Sequence, residues 1–382
     1  MHGRQNFVLN PERHKYHNSD CTGTFLSIIR KLLNPAVLAM QAYKVPSAQK
    51  LVKLDAMENP YGWPDDVIAD WLSVLKHVAI NRYPAGDAGL LREKLHLVMQ
   101  LPEGMDVLLG NGSDELIQII ALAMARPDRV VMAPEPGFVM YRLISQLVNL
   151  QFQGLPLEPG DFSLERDKAL AAIRQYQPSL VFIACPNNPT GNMFDRETII
   201  AIIKAVPGLV VIDEAYHAFA GDSFMDCLSQ YDNLLVMRTL SKSGLAGLRL
   251  GYLVGPPAWI EELNKIRLPY NINVLTQKSV EFILEHYDLL ADQAENIRRD
   301  REKLFRQLQA MDDLTVWPSR ANFLLFRCHD RSAASIHEGL EQHGILIKNL
   351  HGSQQGLDQC LRVTVGTPEE NRCFVSALSE LL

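Results

Sequence analysis

Long apolar runs are missing from this 382-residue chain. None approaches the ~20 residues that cross a bilayer as a helix. The most apolar stretch, 116–125, is interrupted by Gln118 and reads as a core helix. An excess of positive charge is missing too. Lys and Arg number 37 against 44 Asp and Glu, a net charge of −7, so the chain has no electrostatic footprint for nucleic acid or an anionic membrane. Any phosphate it binds must be met locally, by a few placed donors. Cysteine is sparse: Cys21, Cys185, Cys227, Cys328, Cys360 and Cys373 are scattered, with no paired spacing of the kind that holds a metal. A disulfide scaffold does not fit a chain of this length, and reduced thiols in a cytoplasmic protein are expected. Internal repeats and low-complexity tracts are also absent.

Apolar residues make up 47% and charged residues 21%, which is ample for a core and points to one large and one small domain. The start of the chain differs from the rest. Residues 1–20 are polar, with His2, Arg4, Arg13, His14, Lys15 and His17 and almost no apolar periodicity. The apolar residues of 25–30 are too few and too broken for a signal-peptide core. A disordered extension over 1–37 is expected. A misassigned start codon and a transit peptide stay open, the latter opposed by Glu12 and Asp20.

From about 105 to 255 short apolar runs alternate with amphipathic stretches. Strands are expected at 106–109, 129–133, 180–185, 209–212, 234–239 and 250–254. They are rich in Val, Ile and Leu without alternation, as in strands buried on both faces. Helices are expected at 114–125, 138–147, 165–176 and 195–205. Such strand–helix–strand repetition predicts an α/β fold with a mostly parallel sheet covered by helices. After Pro256-Pro257 a long charged helix over 287–311 leads to a second domain, with strands at 321–327 and 361–365 and a helix at 333–343 between them.

In open α/β sheets, ligands bind beyond the carboxyl ends of the strands. Four loops there carry chemistry. Lys242 lies between Ser241 and Ser243 after the run 234–239, with Arg249 seven residues on. A nucleophilic amine, two hydroxyls and a cation are what it takes to hold a phosphorylated aldehyde as an imine. Read alone, the segment is equally a polar turn. The segment Gly110-Asn111-Gly112-Ser113-Asp114-Glu115 lets backbone approach an anion at a helix start, although Ser113 or Asp114 as a plain helix cap explains it as well. The turn Cys185-Pro186-Asn187-Asn188-Pro189-Thr190-Gly191 presents Asn188 from a stiff backbone, either toward a ring oxygen or toward its own main chain. Asp213, at the end of a buried strand, is costly without a cationic partner. A protonated pyridine nitrogen is one, and capping of the next helix is the other reading; Tyr216 follows three residues on.

Taken together in this order, these segments resemble the fold type I pyridoxal-phosphate aminotransferases, and among them the histidinol-phosphate aminotransferases. Residues 54–61, Asn81-Arg82-Tyr83-Pro84, 111–115, the proline-framed asparagine turn, Asp213 to Tyr216, the Lys242 loop through Tyr252, and 360–366 carry the resemblance, which runs from about residue 38 to the end. It implies a fold of that type: an arm over 38–65 contributing to the small domain and a dimer, a large cofactor domain over 66–286 and a small α+β domain over 287–382. It implies pyridoxal 5'-phosphate as cofactor. Lys242 would hold the cofactor as an imine and then shuttle the proton. Asp213 would pair with the pyridine nitrogen, and Asn188 and Tyr216 would hold the ring oxygen. Phe138 would stack on the ring, where the family also uses Tyr. Ser113, Asp114, Ser241 and Arg249 would grip the phosphate.

For the substrates, the resemblance implies Arg362 as the clamp on a carboxylate and Lys348, where the family often has Arg, toward a substrate phosphate. Tyr61 would reach the neighbouring subunit's site in a homodimer. The implied reaction exchanges an amino group between histidinol phosphate and 2-oxoglutarate, giving imidazole acetol phosphate and glutamate in histidine biosynthesis. Decarboxylation of threonine phosphate and transamination of aromatic amino acids on the same scaffold remain open. A cofactor-binding regulator is disfavoured, because forty polar residues cannot supply a winged helix with its own core. His343 and His351 read as solvated.

Overall fold

The computed structural model describes residues 21–40 and 50–382. It divides into two units, one ending at Pro46 and the other running from Ser47 to Leu382. In the first, the disorder expected for 1–37 falls partly outside the described residues. Among the described residues of this unit, a helix spans Cys21–Leu32 and a short one spans Pro35–Ala39. The physical reason for the second is local. Asn34 accepts a hydrogen bond from the Ala36 backbone N–H at 2.9 Å, and Pro35 opens the first turn.

The second unit contains every strand found among the described residues: β1 Val52–Lys53, β2 Asp106–Asn111, β3 Val130–Glu135, β4 Gln151–Pro156, β5 Leu180–Ala184, β6 Leu209–Asp213, β7 Leu234–Thr239, β8 Leu250–Gly255, β9 Leu314–Val316, β10 Phe323–Cys328, β11 Ile345–Leu346, β12 Lys348–Asn349 and β13 Cys360–Thr364. Seven of them form one sheet in the order β2-β8-β7-β6-β5-β3-β4. All neighbours run parallel except β8, which is antiparallel to both β2 and β7. Because β8 is reversed between them, β2 and β7 point the same way. The carboxyl ends of β2, β5, β6 and β7 therefore open on one edge.

Every residue of β5, β6, β7 and β8 is buried, which explains the apolar runs that fill them up to Asp213 and Arg238. The sheet is packed on both faces. Leu116, Ile120 and Ile144 cover one side with Phe182 and Val211, while Ile199, Ile202 and Phe194 cover the other with Val181 and Ile183. Full burial of such a side chain stabilises by roughly 1.5–3 kcal/mol. The flanking helices start where the sequence supplies caps. Glu165 accepts from the N–H groups of Asp167 and Lys168 ahead of Arg166–Tyr176, and Asp195 accepts from Thr198 N ahead of Arg196–Ala205.

A second, antiparallel sheet has the order β12-β13-β10-β9. Its core gathers Phe323, Phe326, Val363 and Phe374 with Leu304 and Leu308 of the helix Tyr287–Gln309. Strand β1 pairs with β11, and the chain then runs on as a strap: Leu54 N donates to Leu346 O and Thr364 N donates to Leu54 O, both at 2.8 Å. Among the described residues, no helix is long and apolar enough to cross a membrane.

Candidate active site

The sheet edge where β2, β5, β6 and β7 end carries a pocket with about 560 Å³ of empty space, part of it open to solvent. Ser113, Asp114, Phe138, Asn188, Asp213, Tyr216, Ser241, Lys242 and Arg249 all line it. Four loops far apart in sequence are thus gathered by the strand order alone.

Lys242 occupies a single 3-10 turn, Ser241–Ser243, that leaves the end of β7. Its Nζ donates to the Ala56 carbonyl at 3.1 Å. Burial pushes its amine down to about 8, with Arg362 the largest charge acting in the same direction and Arg249 adding to it. Glu58 and Asp114 oppose the shift. A lysine so placed is largely protonated at neutral pH but has a substantial neutral fraction, which is what a nucleophile or base needs.

Asp213 ends β6 with 4% of its surface exposed. Its Oδ2 accepts from the Tyr141 hydroxyl at 2.6 Å and its Oδ1 from Ala215 N at 3.0 Å. Burial raises its carboxyl to about 6, against the lowering effect of those two donors. Among the described residues no salt bridge reaches it. A buried acid facing a pocket in this condition fits a ligand that brings a positive nitrogen.

An anion would meet the other end. The helix Ser113–Met124 begins at the pocket, directly after Gly112 with φ +82°. Its free N–H groups face the same space as Ser241 and Arg249. Arg249 Nη1 donates to Ser241 Oγ at 3.4 Å, and Arg249 lies 3.7 Å from the Asp114 carboxylate. That pair is about half exposed and weak, so the guanidinium remains available to a phosphate. A phosphate at one end and a positive nitrogen at the other is the charge pattern of pyridoxal phosphate, and the donor set fits it.

Asn188 and Arg362 are tied together. Arg362 Nη1 donates to Asn188 Oδ1 at 2.5 Å and Nη2 to the Asp55 carbonyl at 3.1 Å. The guanidinium also lies 5.3 Å from the centre of the Phe323 ring. Tyr216, 3% exposed, packs edge-on against that same ring, and burial pushes its hydroxyl well up. Lys348 pairs in register with Arg362 across β12 and β13, which brings two cations side by side. Arg362, Lys348 and Tyr61 do not line this pocket. Arg362 reaches it through Asn188, and the Tyr61 hydroxyl lies 3.5 Å from Asp300 Oδ2.

Several neighbours of the site were not legible beforehand. Tyr141 follows Phe138 by one helical turn, a spacing that places both on one side, yet its partner Asp213 could not be named from it. Ala56 and Met57 belong to the strap, whose carbonyls reach Lys242 and Asn322. The Gln354 amide clasps Gly137 just before Phe138, accepting from its N at 2.9 Å and donating to its O at 2.7 Å. Glu214 and Arg238 form a buried ion pair at 2.8 Å beneath the site, completed by Ser223 and the Phe224 N–H. Here a signal existed: Arg238 interrupts and Glu214 follows a buried, otherwise apolar run.

The aminotransferase class I and II family matches residues 49–378. A histidinol-phosphate aminotransferase 2 of Nitrosococcus oceani is 53% identical over 350 residues, covering 92% of this chain and 97% of the relative. A histidinol-phosphate aminotransferase of Chromobacterium violaceum is 48% identical over 92% of this chain and 98% of its own. Among solved structures, the histidinol-phosphate aminotransferase of Sinorhizobium meliloti in complex with pyridoxal-5'-phosphate has a TM-score of 0.81 at 23% identity, covering 92% of this chain and 97% of that one, a likeness of fold. With the pocket's lysine, acid and anion site, these matches establish that the chain belongs to the class I and II aminotransferases, in the histidinol-phosphate aminotransferase family.

Proposed function

We propose that the chain transfers an amino group between histidinol phosphate and 2-oxoglutarate, giving imidazole acetol phosphate and glutamate, with pyridoxal 5'-phosphate as cofactor. The observation that carries the reading is the buried Asp213 carboxylate, without a salt bridge among the described residues, in the same pocket as the depressed amine of Lys242. When bound there, pyridoxal phosphate supplies an aldehyde carbon that takes an amine and a ring that accepts an electron pair.

The chain's own residues do the rest. Ser113, Ser241, Arg249 and the N–H groups of the helix Ser113–Met124, which begins at Ser113 and Asp114, hold the phosphate. Phe138, which lines the pocket, would pack on a ring face. The Asn188 side-chain oxygen is engaged by Arg362, which leaves its amide N–H groups, with the Tyr216 hydroxyl, to donate to the ring oxygen. Asp213 keeps positive charge on the ring nitrogen. Lys242, in its neutral form, would take the proton from the substrate carbon that bears nitrogen and carry it for return to the cofactor side. Arg362 offers a two-pronged donor to the carboxylate of glutamate or 2-oxoglutarate, and Lys348 offers charge to the phosphate of histidinol phosphate. Tyr61 completes the partner subunit's site in a homodimer. We place the reaction in the cytoplasm, in histidine biosynthesis, with no nucleic-acid or membrane partner.

The test is chemical. Protein incubated with pyridoxal phosphate and reduced with borohydride should carry a pyridoxyl label on Lys242 alone, and Lys242→Ala should carry none and turn over nothing. Initial rates with histidinol phosphate and 2-oxoglutarate should follow ping-pong kinetics. Carbon dioxide release from threonine phosphate in place of that exchange, or preference for aromatic amino acids, would sink the substrate assignment; a label elsewhere would sink the site.

A further inference from the structure

We propose that Tyr141 is a positioning residue that holds Asp213 in its ionised form and so fixes positive charge on the cofactor's ring nitrogen; this rests on the pyridoxal phosphate reading above. The geometry is specific. Tyr141 is 2% exposed, and its hydroxyl donates to Asp213 Oδ2 at 2.6 Å. The ring cannot swing away. It is stacked on Phe182 with centroids 4.7 Å apart and planes 3° from parallel, and Phe138 meets it edge-on at 5.4 Å and 84°. The residue thus touches both Asp213, which would pair with the ring nitrogen, and Phe138, which would cover a ring face, without lining the pocket itself.

A hydrogen bond donated to a carboxylate favours the charged form. That matters here because burial, Asp114 and Glu214 all push the other way, and the Tyr141 hydroxyl and Ala215 N oppose them. Tyr216 is the further titratable group facing this pair, and its own hydroxyl is neutral at working pH. An ionised Asp213 leaves the shared proton on the ring; a protonated one takes it back. Of the two opposing donors only the side chain can be removed by mutation without altering the backbone.

Tyr141→Phe deletes the donor and keeps the stacked ring. Phe182→Leu is the control: it removes the ring on which Tyr141 stacks but leaves the hydroxyl. Two quantities are read for each, the affinity of cofactor-free protein for pyridoxal phosphate and the pH midpoint of the bound cofactor's absorption band. Tyr141→Phe should weaken affinity ~10-fold and raise the midpoint by about half to one unit, the size of one hydrogen bond to a charge. Phe182→Leu should lower the melting temperature while the midpoint stays near the wild-type value. A wild-type midpoint in Tyr141→Phe, or an equal shift in Phe182→Leu, overturns the inference alone. Wild-type protein that develops no absorption band with pyridoxal phosphate overturns the cofactor reading and the inference with it.

Discussion

Arg362 donates to the side-chain oxygen of Asn188 at 2.5 Å, joining β13 of the smaller sheet to the turn that follows β5 of the larger one. The same guanidinium reaches the Asp55 carbonyl in the strap. A substrate carboxylate would therefore meet a cation whose plane is already fixed by two partners, at little further entropic cost.

Arg362→Lys keeps the charge and loses the fork, and lysine cannot bond Asn188 and Asp55 together in that plane. The half-reactions of glutamate and 2-oxoglutarate should lose ~10–100-fold in kcat/KM. Histidinol phosphate carries no carboxylate, so its single-turnover rate should fall much less. Equal losses in both half-reactions would assign Arg362 a role in the cofactor site and none in reading the carboxylate.

The Asp213 carboxyl is raised from 3.8 to about 6 in the cofactor-free protein. The folded state binds that proton more tightly than the unfolded chain does. Stability therefore falls as pH rises from about 4 to 6, and the penalty is fully present above 6. Asp213→Asn removes it, on the order of 3 kcal/mol. Cofactor-free Asp213→Asn should melt higher than wild type at pH 7.5 and without that advantage at pH 4. Transamination should nevertheless fall by ~100-fold or more, since a fixed charge at the reacting ring is lost. Melting curves of the two proteins at both pH values check the sign.

The four chemical loops could be read from sequence because each is a polar interruption after an apolar run, and burial of β5 to β8 on both faces makes those runs continuous. Strand β4 escaped for the opposite reason. At the sheet's edge its Gln151, Phe152, Gln153 and Gly154 are exposed or half-buried, so no apolar signal marks it. The short pairings β1 with β11 and β12 with β13 are two residues long and are fixed by tertiary contact alone. Tyr141 was missed because its value lies in one hydrogen bond to a residue 72 positions away. No local pattern encodes that partnership.

Gly112 separates β2 from the helix whose N-terminus would meet the phosphate. It has φ +82°, and a Cβ added there would stand 2.5 Å from Arg249 Nη2. Gly112→Ala must both strain the backbone, by ~1–3 kcal/mol, and push the guanidinium aside. Affinity for pyridoxal phosphate should fall ~10-fold or more, while affinity for pyridoxal, which has no phosphate to lose, should change little. Equilibrium titration of the cofactor-free variant with both compounds tests this; a parallel loss would locate the damage elsewhere in the pocket.

Tyr61 does not line its own chain's pocket, and its hydroxyl lies near Asp300 at 3.5 Å. If it serves a second copy of the chain, each site draws Lys242 from one subunit and Tyr61 from the other. Tyr61→Ala and Lys242→Ala proteins should each be nearly inactive. Unfolded together and refolded as a mixture, half of the pairs are hybrids, and each hybrid then owns one site with both residues intact. Activity should recover to about a quarter of wild type. Were Tyr61 to act within its own chain, both sites of the hybrid would lack one residue and mixing would restore nothing. Sedimentation of the mixture must show pairs for either result to count, so the same sample reports whether the chain dimerises and whether the dimer shares its sites.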